Sequence, residues 1–115
     1  MGDFYMAKDL SVTMLLDVYG QLLTEKQQSA IDMYYNEDLS LAEIADEIDI
    51  SRQGVLASIK QGEKHLTEYE NALGVVKRFQ AISAKIYEIN NILDKAAFDG
   101  KEKVKELLTD ISREI

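Results

Sequence analysis

An all-α fold is the expectation for this chain, and three observations carry it. No proline occurs in its 115 residues, so nothing interrupts the backbone N–H ladder of a long helix. Apolar residues recur at steps of three and four along most of the length, without alternating β-branched runs. Twice a Thr or Ser stands three residues before a Gln or Glu at the head of such a stretch, the mark of a capped helix start. With 46% hydrophobic residues the chain can bury a real core, and its length suits one domain, or one with an appended arm. We expect a helical bundle with a helix-turn-helix over residues 1–70 and a C-terminal helical arm, serving dimerisation, over 71–115.

Residues 1–8 show no clear pattern. From Leu10 to Leu23 the spacing predicts an amphipathic helix with Val12, Leu15, Leu16, Tyr19, Leu22 and Leu23 on its apolar side. Thr24 and Gln27 then form a capping box, and Glu25 in the first turn suits the positive helix end. Ala30, Ile31, Met33, Tyr34 and Tyr35 carry the apolar side of this second helix, which places the two tyrosines in the core and at its edge. Asn36, Glu37 and Asp38 end it as a polar turn.

The stretch from Ser40 to Ile59 is the organising motif. Ser40 and Glu43 make a second capping box, and Leu41, Ile44, Ala45 and Ile48 line one face behind it. Ser51 is placed to cap the next helix, where Val55, Leu56 and Ile59 repeat the apolar spacing. The turn at Asp49 and Ile50 is so short that the two helices must cross steeply, and Ile50 tucks under the corner. In such a unit the first helix braces and the N-terminal end of the second is pushed outward, where it can enter a major groove.

The second helix meets no strong stop before Gly74. Leu66, Tyr69, Leu73 and Val76 follow in heptad-like steps, and Phe79, Ile82, Ile86, Ile89 and Leu93 resume them one residue short. That jog beside Gly74 predicts a bend or break. Asp99-Gly100 is a turn, and Lys101 to Ile115 a last helix with Val104, Leu107, Leu108 and Ile111 inward. The arm's stripe is too long for the small bundle to cover. The last helix folding back on it, together with a second chain, covers it best, so a homodimer is expected.

The chemistry excluded is as informative. There is no cysteine, hence no disulfide, thiolate metal site or thiol nucleophile, and the single histidine, His65, reads as a surface residue. No glycine-rich phosphate loop, triad spacing or histidine pair is present, so neither enzyme activity nor a cofactor or metal is expected. No apolar run reaches membrane-span length and the N-terminus lacks signal-peptide form, which suits a cytoplasmic protein without membrane insertion. The net charge is −8. Residues 1–50 hold 11 acidic residues against 2 lysines, whereas residues 51–115 hold 10 against 11 bases. The recognition helix therefore begins where the acidic excess ends.

The stretch from Leu22 to Glu70 resembles the YlxM-type family of small bacterial helix-turn-helix proteins. The matching motifs are Leu22-Leu23-Thr24 with Lys26-Gln27, Tyr34-Tyr35, the run Leu39 to Ala45, Ser51-Arg52-Gln53 with Val55, then Ile59-Lys60, Glu63-Lys64 and Leu66. The resemblance implies a winged-helix-like unit similar to region 4 of bacterial sigma factors, and a regulatory role connected with the signal recognition particle pathway. Asp49 stands where the family often has glycine in the turn, a position that Asp can fill in the left-handed conformation. Gln61 stands where relatives often carry arginine, which removes one positive charge from the candidate face.

Ser51, Arg52, Gln53, Ala57, Lys60 and Lys64 are the candidate nucleic-acid contacts. Arg52 suits guanine edges or phosphate, Gln53 suits adenine edges, and Lys60 and Lys64 suit backbone phosphate. Ser51 is mainly a cap whose hydroxyl can also meet a phosphate. The plainer alternative is a solvated helix face, with Glu63 offsetting the two lysines. Lys77, Arg78 and Lys85 on the arm read as a solvated face rather than an RNA-binding stripe. Three functions fit: a DNA-binding regulatory dimer, an accessory factor docking on protein or RNA of the signal recognition particle pathway, and a purely structural dimer module with no nucleic-acid contact. So small a basic patch implies weak, salt-sensitive DNA binding.

Overall fold

The computed structural model describes residues 10–115; the patternless start of the chain lies outside the described residues. Among the described residues six α-helices follow one another: α1 (Leu10–Tyr19), α2 (Glu25–Tyr35), α3 (Leu41–Ile48), α4 (Arg52–Leu73), α5 (Val75–Asp94) and α6 (Lys101–Glu114). Among the described residues there is no strand, so the helix-turn-helix of α3 and α4 carries no β-wing. No helix of the described residues is long and apolar enough to cross a membrane. The chain divides between Val76 and Lys77 into two compact units.

In the first unit α4 is the spine on which α1, α2 and α3 all pack. Ile31, Ile44, Val55, Ile59 and Leu66 are fully buried there, each contributing about 1.5–3 kcal/mol by leaving water. Gly62 makes the closest approach possible. A Cβ at that position would stand 2.5 Å from Ile31 Cδ1, so α2 and α4 touch where a side chain has been omitted.

The local signals in the sequence form as expected. Thr24 Oγ1 accepts the Gln27 amide at 3.1 Å and Gln27 Oε1 accepts the Thr24 amide at 3.3 Å. Ser40 and Glu43 repeat the box at 3.1 and 2.9 Å. Asp49 closes α3 in the left-handed conformation, φ 57° and ψ 50°, and Ile50 packs against the core below the corner. One expected element differs. The first helix stops at Tyr19, and Gly20–Leu22 tightens into a 3-10 turn closed by the Leu23 amide on the Gly20 carbonyl at 3.1 Å. A 3-10 turn advances each residue about 120° instead of 100°. Leu22 is thereby swung out to 58% exposure rather than joining the apolar side.

The break at Gly74 is also present. Gly74 adopts φ 63° and ends α4, its amide donating to the Glu70 carbonyl at 2.8 Å. Glycine has no side chain to cap the helix that starts next, and two distant groups do so instead. The Tyr19 hydroxyl accepts the Val75 amide at 3.2 Å and Glu70 Oε1 accepts the Val76 amide at 3.1 Å. Tyr19 in turn donates to Glu70 Oε1 at 2.6 Å. Burial, with that carboxylate beside it, holds the Tyr19 phenol above its ordinary value.

The second unit pairs α5, from Lys77 on, with α6. Ile86 and Leu93 bury against Leu108, with Val104 at the edge, and Lys105 Nζ meets Asp94 Oδ1 at 2.5 Å. That bond holds the Asp94 carboxyl below and the Lys105 ammonium above its usual range. Leu107 and Ile111, expected inward, are 48% and 45% exposed. A single partner helix covers only part of a wide apolar stripe, and α6 covers the edge that carries Ile86 and Leu93. Ile82, Ile89 and Ile92 remain exposed on α5.

Candidate nucleic-acid interface

The N-terminal half of α4 is set up by its cap. Ser51 is extended, and its Oγ accepts the Gly54 amide at 3.0 Å. The helix then turns Val55, Ile59, Gly62 and Leu66 into the core. Steps of four, three and four put Gln53, Ala57, Lys60 and Lys64 on one line along the opposite side. All four are exposed, as are Ser51 and Arg52. Arg52 stands about 100° round the helix from Gln53, at the edge of this line. Among the described residues, Arg52, Lys60 and Lys64 make no ion pair, so their charges are available to a ligand.

Glu63 is not the offsetting surface charge that its spacing suggests. It is only 8% exposed. The Tyr35 hydroxyl, from α2, donates to its Oε2 at 2.9 Å, while Oε1 is buried with no hydrogen-bond partner. Burial pushes its carboxyl up to about 7, against the opposing pull of Tyr35 and Lys60. A shift of that size corresponds to about 3 kcal/mol against the charged form. A carboxylate that turns inward leaves Lys60 and Lys64 as the uncompensated charges of the outer line.

The flanking surface has the opposite sign. Glu43, Asp46, Glu47 and Asp49 are exposed on α3 and its turn. A cavity of about 370 Å³ is lined there by Leu39, Glu43, Asp46 and Glu47. The Ser40 amide, and with it the Ser40 hydroxyl, holds the Glu43 carboxyl below its ordinary value, so that negative charge persists into mild acid. His65 lies on α4 half-buried, its ring stacked on Tyr69 at 6.3 Å and its Nδ1 3.2 Å from Glu68 Oε1. Tyr34 and Tyr35 are half-buried and meet edge to face at 5.1 Å.

Comparison with known proteins bears on the helix-turn-helix itself. A family model described as "Putative helix-turn-helix protein, YlxM / p13 like" matches residues 6–111. A UPF0122 protein of Desulforamulus reducens is 44% identical over 104 residues, which span 87% of this chain and 89% of the relative. Another, from Caldanaerobacter subterraneus, is 46% identical over 84 residues, spanning 73% of this chain and 72% of the relative. A third, from Halalkalibacterium halodurans, is 42% identical over 90 residues, with 78% and 83% covered.

Proposed function

The chain belongs to the YlxM / p13-like helix-turn-helix family, and from that premise we infer that it is a non-enzymatic, cytoplasmic regulatory protein that binds DNA as a homodimer through α4. One observation carries the reading: an unpaired basic line, Lys60 and Lys64 with Arg52 at its edge, stands outward on the second helix of the motif. Gln53 on that line offers an amide for adenine edges, and Ala57 a small surface that lets the helix approach the groove closely. Ser51 caps the helix whose N-terminal end would point at phosphate. The sigma region 4-like character of the motif fits the same mode of docking. The exposed apolar residues of α5 and α6 supply a surface on which two copies can join.

A second reading, docking on a protein or RNA of the signal recognition particle pathway, draws on the acidic α3. The cavity bounded by Leu39, Glu43, Asp46 and Glu47 would receive a basic partner segment and would repel phosphate.

A salt-titrated binding assay separates the two. The full chain is tested against a pool of genomic fragments and against signal recognition particle RNA, beside an Arg52→Ala, Lys60→Ala variant. The regulator reading expects selected DNA fragments to be retained. It also expects the variant to bind more weakly and its log–log salt slope to fall by about 2. Absence of DNA binding even at low salt overturns it, and capture of the RNA alone moves the assignment to the second reading.

A further inference from the structure

Among the described residues, Glu63 is the one buried carboxyl whose second oxygen is left without a partner, and nucleic-acid docking makes no use of it. It sits beside Gly62, where an added Cβ would stand 2.5 Å from Ile31 Cδ1 of α2. Its sole protein hydrogen bond among the described residues comes from Tyr35, 28 residues away on α2. The groups that act on it are that phenol and the Lys60 ammonium on its own helix; α1 and α3 present it with no charged group.

We propose that Glu63 is a proton-operated switch in the α2–α4 seam: neutral, it seals the seam through Tyr35, and ionised, it is drawn toward water and loosens the brace behind the exposed line of α4. The physical reason is the missing counter-ion. A buried carboxylate with one hydrogen bond and a bare oxygen is costly, whereas the neutral acid at the same place is not. The direction follows from linkage. The folded carboxyl ionises near 7, above its ordinary 4.5 in the open chain, so the folded form holds the extra proton between these values. Stability is therefore full at the acid end of that window and is lost as pH rises through it. His65, two residues on, is the one histidine of the sequence and serves as the control.

The test is urea unfolding of the full chain at constant ionic strength from pH 5 to 8, for the native sequence, Glu63→Gln, Tyr35→Phe and His65→Gln. The unfolding constant of the native chain should rise by about 10- to 100-fold across this range. Glu63→Gln should be nearly flat, and His65→Gln should keep the rise. Tyr35→Phe should steepen it or shift it to higher pH, because the phenol favours the ionised form. In parallel, the Glu63 side-chain carboxyl ¹³C shift is followed by NMR. Amide exchange, corrected for its intrinsic pH dependence, should accelerate with pH around Tyr35 and Glu63 in the native chain. A Glu63 resonance titrating in the ordinary carboxylate range overturns the proposal even if Glu63→Gln fails to fold. Equal pH dependence in Glu63→Gln and the native chain overturns it as well.

Discussion

Adding one methyl group at Gly62 sets two effects against each other. Gly62→Ala removes the entropic cost of a mid-helix glycine, about 0.5–1 kcal/mol. It also drives a Cβ to 2.5 Å from Ile31 Cδ1. Ile31 is fully buried, so its terminal methyl has little room to retreat, and overpacking of this kind costs about 1–3 kcal/mol. The balance should be a net loss near 1 kcal/mol, read as a lower urea midpoint; a higher midpoint would mean that the seam has slack. Single residues of this sort were the least legible in the sequence. Glu63 looked like a surface charge because its spacing from Lys60 matches an exposed ion pair, and its true partner is on another helix. The same holds for Tyr19 and Glu70, which meet across 51 residues. The outward positions of α4 were readable, since the four-three-four step that exposes Gln53, Ala57, Lys60 and Lys64 is a property of the helix itself.

Among whole elements, α3 depends most on its ends. It is only 8 residues long, too short to persist without packing and capping. Ser40→Ala should cost about 1 kcal/mol through loss of the Ser40–Glu43 box. The Glu43 half of the box has a pH signature. Because the Ser40 amide lowers the Glu43 carboxyl in the folded chain, the box stabilises above the ordinary carboxylate value. That stabilisation disappears as pH falls through the lowered one. Denaturation curves taken downward from pH 6 should therefore show the native chain and Glu43→Gln, which removes the charge and leaves the Ser40 hydroxyl cap, converging in acid. If the gap is constant, Glu43 is not part of the cap's energetics. Boundaries at this scale were legible wherever the signal spans three residues, as at Thr24, Ser40 and Ser51, or rests on one backbone conformation, as at Asp49 and Gly74. The 3-10 turn after Tyr19 escaped notice because an apolar run at Leu22 and Leu23 prolongs the α-helical pattern past the point where the Thr24 cap requires the chain to turn.

For the molecule as a whole, the decisive quantity is uncovered apolar surface on the second unit. Two helices cannot enclose a core, and Ile82, Ile89, Ile92, Leu107 and Ile111 stay open to solvent, so a second α5–α6 pair would complete a four-helix arrangement. Sedimentation of the native chain should give twice its 13.0 kDa mass, while an Ile92→Glu, Leu107→Glu variant should sediment as the single chain and keep the helical signal of the first unit. A native chain that sediments as 13.0 kDa at high concentration would remove the dimer from the functional picture. The clasp that Tyr19 and Glu70 place on the amides of Val75 and Val76 also decides where the polypeptide tolerates being severed. Trimming it at Leu73, the visible end of α4, would discard both clasped amides and the buried Val76 side chain, and take from the Tyr19 hydroxyl the amide that it accepts. Anyone grafting this helix-turn-helix into another protein should carry the three residues past the apparent helix end, because the first unit's last stitch is sewn with thread from the next helix.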